Sequence, residues 1–199
     1  MSLQVWTETY KVPDVPDGES GGWKIDTFSV SEDEAKLDRV MSGFRAVRPG
    51  TYKRLSRGKT VVMSDTPSEL RDHLWLFQMM KEADSALIHG LGIGCAVNAA
   101  IMHGVKTIDV VELSPDVIEL VGPHYLAKAA SAGVDLTIHE GDALTYRFPV
   151  GRRWGIAWHD IWDFISEENL EGMKLLHRRY GRRVDWQGSW ARELIGAFR

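Results

Sequence analysis

Three glycines spaced by single residues, Gly90, Gly92 and Gly94, follow a short, mostly apolar run at 86–89. The run predicts a buried strand, and the apolar pattern that resumes at 96–102 predicts a helix. Glycine lets the backbone come close to a bound molecule, and a helix start offers free N–H groups at a positive dipole end. This arrangement, which includes Leu91, supports the binding of a nucleotide-like ligand, although Gly-x-Gly runs also form ordinary turns.

Three acidic residues follow the glycine turn, each at the end of a predicted strand: Glu112, Asp142 and Asp160. Glu112 lies 18 residues after Gly94, where a carboxylate can accept hydrogen bonds from both hydroxyls of a ribose. Asp142 is placed to accept from an adenine amino group, and Asp160 would face the reacting end of the ligand. One such acid alone is most simply a solvated loop residue. Three acids at corresponding strand ends after a glycine turn favour an adenosyl ligand.

The end of the fourth predicted strand carries the candidates for catalysis. Asp160 is the first candidate to orient or deprotonate an acceptor, because functional acids cluster at the strand ends of parallel sheets. His159 is the second. Neighbouring residues on a strand point to opposite faces, so packing on the far face of the sheet is an equally good interpretation of His159. The histidines show no metal-ligand spacing, and no metal site is predicted.

Two further groups of side chains have both a functional and a structural interpretation. Four tryptophans could wall an acceptor pocket or cover a small core: Trp158, Trp162, Trp186 and Trp190. Four arginines could bind a phosphorylated or nucleic-acid acceptor, or complement the dipole at a helix end: Arg178, Arg179, Arg182 and Arg183.

From residue 86 onward, predicted strands alternate with predicted helices, which favours a Rossmann-like, doubly wound parallel sheet with ligands at the carboxyl ends of its strands. The sheet is expected to be shortened at its C-terminal side, with room for one more strand near 183–187. The predicted strands are 86–89, 107–113, 134–139 and 155–159, and the predicted helices are 96–102, 115–130 and 166–179.

Residues 1–65 are predicted to form a small α+β extension, and residues 66–199 the Rossmann-like domain. The extension would contain an edge strand near 3–7, a strand at 24–30, a helix that begins at the Ser31 capping box, and a hairpin of 51–55 with 59–64. A second capping box, Thr66 to Glu69, predicts one helix that runs to about residue 82.

The composition is that of an ordinary globular protein. The chain has 199 residues, 44% of them apolar, and a net charge of −4, which gives no overall nucleic-acid or membrane signal. Its one cysteine, Cys95, suits a reducing compartment, and no signal peptide or long apolar run is present. We therefore expect a cytoplasmic protein without membrane contact. A homodimer is compatible with the sequence, which leaves the oligomeric state open.

Several segments together resemble the class I S-adenosylmethionine-dependent methyltransferase superfamily, and within it the spermidine synthase-like branch. The resemblance covers roughly residues 60–180 and includes 110–120, 140–143 and the Asp-x-x-Asp segment at 160–163. It implies S-adenosylmethionine as cofactor, bound by Gly90, Leu91, Gly92, Gly94, Glu112, Leu113, Asp142 and Ala143. It also implies that Asp160 handles the acceptor, with Asp163 as a further catalytic candidate.

At two positions this chain differs from most methyltransferases or from the polyamine synthases. Ile88 stands two residues before the first glycine, where most methyltransferases have an acid, and in this it is similar to the spermidine synthase-like branch. Ile93 stands where polyamine synthases have an acid, which argues against aminopropyl transfer. The leading hypothesis is a methyltransferase whose acceptor is a small molecule or a nucleic acid. The alternatives are an aminopropyltransferase, a non-catalytic Rossmann-like binding or assembly module and, more weakly, a nicotinamide dehydrogenase.

Overall fold

The computed structural model describes residues 7–197, and their N-terminal part forms a four-stranded antiparallel sheet in the order β1-β2-β3-β4. The predicted Ser31 capping box is confirmed, and the hairpin is confirmed with β3 extended to Arg57. The strand expected near 3–7 falls mostly on residues 1–6, outside the described residues. The elements are β1 (Gly18–Ser20), β2 (Trp23–Val30), α1 (Glu32–Ser42), a 3₁₀ turn (Gly43–Arg45), β3 (Gly50–Arg57) and β4 (Thr60–Ser64).

The helix predicted from Thr66 to about residue 82 is divided in two at His73. Helix α2 spans Pro67–Asp72 and helix α3 spans Leu74–Met80, with the His73 N–H bonded to the Leu70 carbonyl instead of continuing the α-helical pattern. The predicted capping box at Thr66 is wrong, because the Glu69 carboxylate accepts from Arg45. The break leaves the His73 side chain at a junction instead of along a continuous helix.

The C-terminal part forms a five-stranded sheet in the order β7-β6-β5-β8-β9, and every neighbouring pair is parallel. The predicted α/β fold class is confirmed, and a strand does form near 183–187. The order reverses between β5 and β8, which opens a crevice at the carboxyl ends of these strands. The elements are β5 (Ser85–His89), α4 (Cys95–Met102), β6 (Thr107–Glu112), α5 (Pro115–Ser131), β7 (Asp135–Glu140), β8 (Trp154–His159), α6 (Asn169–Tyr180), β9 (Val184–Ser189) and α7 (Arg192–Ala197).

One hydrophobic core joins the two sheets. Ile25 of β2 and Leu55 of β3 are fully buried in the same cluster as Ile88 and Val110 of the parallel sheet. Asp65, between β4 and α2, is buried, and its carboxylate accepts from the backbone N–H groups of Val12 and Lys53 at 2.9 and 2.7 Å. The antiparallel sheet therefore packs against the parallel-sheet part of the chain through this shared core. Among residues 7–197, no helix has the length and apolar character needed to cross a membrane.

Candidate active site

A cavity of about 640 Å³ lies at the carboxyl ends of the parallel strands. Each of the five strands is represented in its lining by a residue at or just after its end: Gly90, Glu112, Asp142, Asp160 and Trp190. The antiparallel sheet supplies the covering side with Trp23, Leu55, Arg57, Val62 and Met63. This volume is in the range of pockets that bind small molecules and cofactors.

The glycine turn brings the backbone to the cavity without side chains. Gly90 has φ +90°, and a Cβ there would lie 1.9 Å from the backbone oxygen of Asp160. Gly94 has φ +82° and precedes α4, with the Tyr125 ring where its Cβ would be. Gly90, Leu91 and Gly92 line the cavity, whereas Gly94 does not. Only glycine fits this conformation at so close an approach.

Glu112 is held by the backbone of the two loops that it joins. One carboxylate oxygen accepts from the Leu91 N–H at 2.7 Å and the other from the Ser114 N–H at 2.9 Å. A carboxylate has about four acceptor positions, so two remain for a ligand in the cavity. The side chain is 9% exposed and lines the cavity. Glu112 is thus a fixed acceptor pair at the end of β6.

The loop after β7 contributes a second acceptor beside an apolar surface. Asp142 accepts from the Leu144 N–H at 2.8 Å and from the Thr145 hydroxyl at 3.2 Å, which fixes its carboxylate at the cavity edge. Ala143 is buried and lines the cavity next to it. Leu113 also lines the cavity and is 68% exposed, so it adds an apolar surface there.

Asp160 makes a partly buried contact with His73 that the sequence did not predict. One of its carboxylate oxygens lies 3.1 Å from Nε2 of His73, which is 1% exposed, and Nδ1 of His73 lies 3.0 Å from the Glu69 carbonyl oxygen. A carbonyl and an ionised carboxylate can only accept hydrogen bonds, so both ring nitrogens donate. His73 is therefore assigned as an imidazolium paired with the Asp160 carboxylate.

The charge of this pair agrees with its surroundings. Burial by itself lowers the pKa of His73, but the hydrogen bond and the negative charge of Asp160 outweigh burial, and the pKa is raised above its ordinary value. At the cavity mouth, Asp163 forms an ion pair with Arg57 of β3. Asp160 and Asp163 both line the cavity, and each has a basic partner.

The position of His159 argues against the catalytic role for which it was a candidate. It is fully buried and does not line the cavity, because Trp158 and Asp160 point to the cavity side and the residue between them points to the other face. There its Nδ1 lies 2.7 Å from Nδ1 of His89, and its Nε2 lies 3.2 Å from the Gln187 amide oxygen. His159 is a packed core histidine.

This burial predicts an acid-sensitive fold. Burial lowers the pKa of His159 from 6.5 to about 3. Between these values the unfolded chain binds a proton at this residue and the folded chain does not, so stability falls as the pH decreases. From pH 7 to pH 5 this residue is expected to remove about 2 kcal/mol from the free energy of unfolding. Urea unfolding of wild type and His159→Gln at both pH values measures this, and an equal loss in both proteins would contradict it.

The candidate tryptophans and arginines divide between cavity and scaffold. Trp158 and Trp190 are almost fully buried and line the cavity together with Trp162, while Trp186 stacks behind Trp158 with ring centroids 6.4 Å apart. The tryptophans thus cover the core and wall the cavity at once. Arg179 donates to the Ala143 and Leu144 carbonyls, which supports the loop beside Asp142.

The sequence did not identify the site residues that come from the N-terminal part of the chain. The sequence pattern predicts only a helix for the stretch that contains Glu69 and His73, and only a turn for the stretch that contains Arg57. No short-range spacing links these residues to Asp160 or Asp163, because the contacts join positions 87 and 106 residues apart.

No family model matches the sequence, and no curated protein matches it. Similar solved structures include a candidate RNA methyltransferase from Pyrococcus horikoshii, with 13% identity over 67% of this chain and a TM-score of 0.47. They also include the CcbJ methyltransferase from Streptomyces caelestis, with 16% identity over 57% of this chain and a TM-score of 0.43. A candidate methyltransferase from Escherichia coli has 13% identity over 60% of this chain and a TM-score of 0.45. The matches cover 65, 44 and 62% of those chains, less than two thirds of each. Such distant likeness carries no argument about function.

Proposed function

We propose that the chain is an S-adenosylmethionine-dependent methyltransferase. The observation that carries the proposal is the Glu112 carboxylate, fixed by the Leu91 and Ser114 N–H groups, beside a glycine turn at the carboxyl end of a parallel sheet. Two free acceptor positions on Glu112 suit the two hydroxyls of a ribose. The side-chain-free backbone of Gly90 leaves room for the rest of the ligand.

The remaining cavity residues also fit this cofactor. Asp142 and the neighbouring Ala143 would meet the adenine ring at its polar edge, and the exposed Leu113 would cover its face. When bound, the cofactor supplies a methyl group on a positively charged sulfur, which makes it reactive without further activation. The task left to the protein is to align an acceptor and to receive its proton.

Asp160 is the residue for that task. Its carboxylate lines the cavity, and His73 holds one of its oxygens in place while the rest of the group stays available to an acceptor. Asp160 would accept a hydrogen bond from the acceptor's O–H or N–H and take the proton as that atom is methylated. Asp163 is bound to Arg57 at the mouth, so we assign it to closing the site and not to proton transfer.

We retain the spermidine synthase-like branch as the proposed ancestry, on the motif at 110–120 and on Ile88. Aminopropyl transfer and a non-catalytic role are the competing proposals. A ligand panel separates aminopropyl from methyl transfer, and the transfer rate measured below tests the non-catalytic role. We expect S-adenosylmethionine to bind with a dissociation constant on the order of micromolar and roughly tenfold more tightly than its decarboxylated form, with NAD⁺ weaker still. Preference for the decarboxylated form would favour aminopropyl transfer, and no binding of any of the three would refute the proposed function.

The variant Asp160→Asn is expected to separate cofactor binding from chemistry. Removing the proton acceptor should lower the transfer rate by roughly 100-fold or more, while affinity for S-adenosylhomocysteine stays within about threefold. The rate is measured as cofactor product released with a compound that the wild type methylates. Asp185→Asn, an exposed acid on β9 outside the cavity, is the control. A fully active Asp160→Asn would remove this residue from the mechanism.

A further inference from the structure

The acceptor end of the cavity has its carboxylates already matched by cations. We define this end by the lining residues Arg57, Glu69, His73, Trp158, Asp160, Asp163 and Trp190. Each of its three carboxylates has a basic partner within ion-pair distance: Asp160 with His73, Asp163 with Arg57, and Glu69 with Arg45. A cationic acceptor would find no carboxylate here that lacks a positive partner.

The first two pairs are neutral as units. Because both nitrogens of His73 face oxygens that only accept, its ring is positively charged and balances Asp160. Arg57 is charged at every relevant pH and balances Asp163. Bringing an ammonium group to such a pair costs its hydration and gains little attraction in return.

The third group adds at most one negative charge. Arg45 contacts the Glu69 carboxylate at 3.0 Å and the Asp72 carboxylate at 2.9 Å, so one cation serves two acids. Burial raises the pKa of Glu69, and the charges of Asp72 and Asp160 add to that effect against the opposing charge of Arg45. The group therefore shifts toward neutrality instead of offering a second free carboxylate.

Two tryptophan rings of the cavity already have cations beside them as well. The Arg57 guanidinium lies over the Trp23 ring, 5.2 Å from its centroid, and the His73 ring lies 5.5 Å from the Trp158 ring. Aromatic faces attract cations when they are free, but a second cation next to either ring would be repelled by the first. Flat apolar contact with an uncharged ring remains favourable at these walls.

We propose that the acceptor is an uncharged aromatic molecule with a hydroxyl or N–H group that donates to Asp160, and that the three ion pairs exclude ammonium acceptors. This inference rests on the proposed function, because it names the substrate class of the same site. It assigns His73 a positioning role: the residue fixes Asp160 and cancels its charge. A polyamine, with two or more ammonium groups, would meet at most one uncompensated charge.

Two small probes that differ mainly in charge test the inference: 2-phenylethanol and 2-phenylethylamine, which is protonated at neutral pH. Each is titrated into wild type saturated with S-adenosylhomocysteine, and binding is followed by quenching of tryptophan fluorescence. We expect the alcohol to bind roughly tenfold more tightly than the amine. The ammonium group of the amine loses its hydration in the cavity and finds little charge attraction there in return.

Charge-removing variants should change this preference in a defined direction. His73→Gln leaves the Asp160 charge unbalanced, and Arg57→Gln does the same for Asp163, so each should raise amine affinity by roughly five- to tenfold. Arg57 is mostly exposed, so its variant serves if His73→Gln fails to fold. Arg54 lies on β3, as Arg57 does, but outside the cavity, and it pairs with Asp26 of β2. Arg54→Gln should therefore leave both affinities unchanged.

The outcomes separate this inference from the proposed function. Equal or tighter amine binding to wild type, no binding of either probe, or variants that leave the preference unchanged would each overturn the inference. A titration of the same preparations with S-adenosylhomocysteine is read separately. Normal cofactor binding with a preference for the amine refutes the acceptor class alone, whereas absent cofactor binding refutes the methyltransferase itself.

Discussion

Replacing Glu112 with alanine is expected to weaken binding of S-adenosylhomocysteine by roughly 10- to 100-fold. The estimate follows from hydrogen bonds between a charged carboxylate and a ligand, which contribute about 1.5–3 kcal/mol. The variant also leaves the Leu91 and Ser114 N–H groups without their acceptor, so the glycine turn loses an anchor. Calorimetric titration measures the affinity, and thermal unfolding of the free protein measures the cost to the fold.

Glu140→Ala is the matched control for this experiment. Glu140 ends the neighbouring strand β7 directly opposite Glu112, is exposed and does not line the cavity. We expect its loss to leave cofactor affinity unchanged within about twofold, as for an exposed charge outside the cavity. If both variants bind the cofactor as wild type does, Glu112 does not hold the ribose and the proposed cofactor pose is wrong.

Gly90→Ala should cost the fold about 3 kcal/mol and abolish cofactor binding. An L side chain at φ +90° is strained, and its Cβ would lie 1.9 Å from the Asp160 backbone oxygen. Since that oxygen belongs to the backbone after β8, the crevice between β5 and β8 would have to widen. For a chain of this size the melting temperature should fall by roughly 10 °C.

Gly104→Ala tells the backbone strain apart from the collision. Gly104 has φ +74°, close to that of Gly90, but nothing lies within 4 Å of the position of a Cβ. Gly104→Ala should lower the free energy of unfolding by about 1 kcal/mol, from backbone strain alone, and should leave cofactor binding intact. Similar losses of stability in the two variants would show that the close approach at Gly90 does not constrain the site.

Most of the parallel sheet and of the cofactor side of the cavity could be predicted from the sequence. Buried parallel strands are continuous apolar runs, and the residues that follow them meet at one edge of the sheet. The sequence alone therefore predicts that Glu112, Asp142 and Asp160 lie close together. The same local logic located the Ser31 capping box and the hairpin. Each of these features depends on residues close together in the chain.

The acceptor side could not be predicted because it is built by contacts between distant segments. The pairing of Asp160 with His73 requires that α2 and α3 meet at a break over the end of β8, and the pairing of Asp163 with Arg57 requires the fold of the antiparallel sheet. Neither follows from periodicity or spacing. The role of His159 was undecidable for a simpler reason, since strand alternation is known from sequence but the face that meets the cavity is not.

This division also explains why the cofactor is better supported than the acceptor. Glu112 and the glycine turn are adjacent parts of one structural unit, and their geometry suits one kind of ligand. The acceptor end holds two neutral ion pairs and a third group with at most one negative charge, between tryptophan walls. It defines a chemical class instead of one compound. The proposed acceptor class can therefore fail while the proposed function stands.

The most direct test is a ¹H–¹⁵N correlation spectrum of the 22.4 kDa protein during titration with S-adenosylhomocysteine. Saturable shifts are predicted at the amides of 90–94, at those of Leu113 and Ser114, and at 141–144, with small changes elsewhere. The Leu91 and Ser114 amides should shift most, because the Glu112 oxygens that they contact would take up the ribose. An unchanged spectrum at millimolar ligand, or shifts confined to other parts of the chain, would contradict the proposed methyltransferase site.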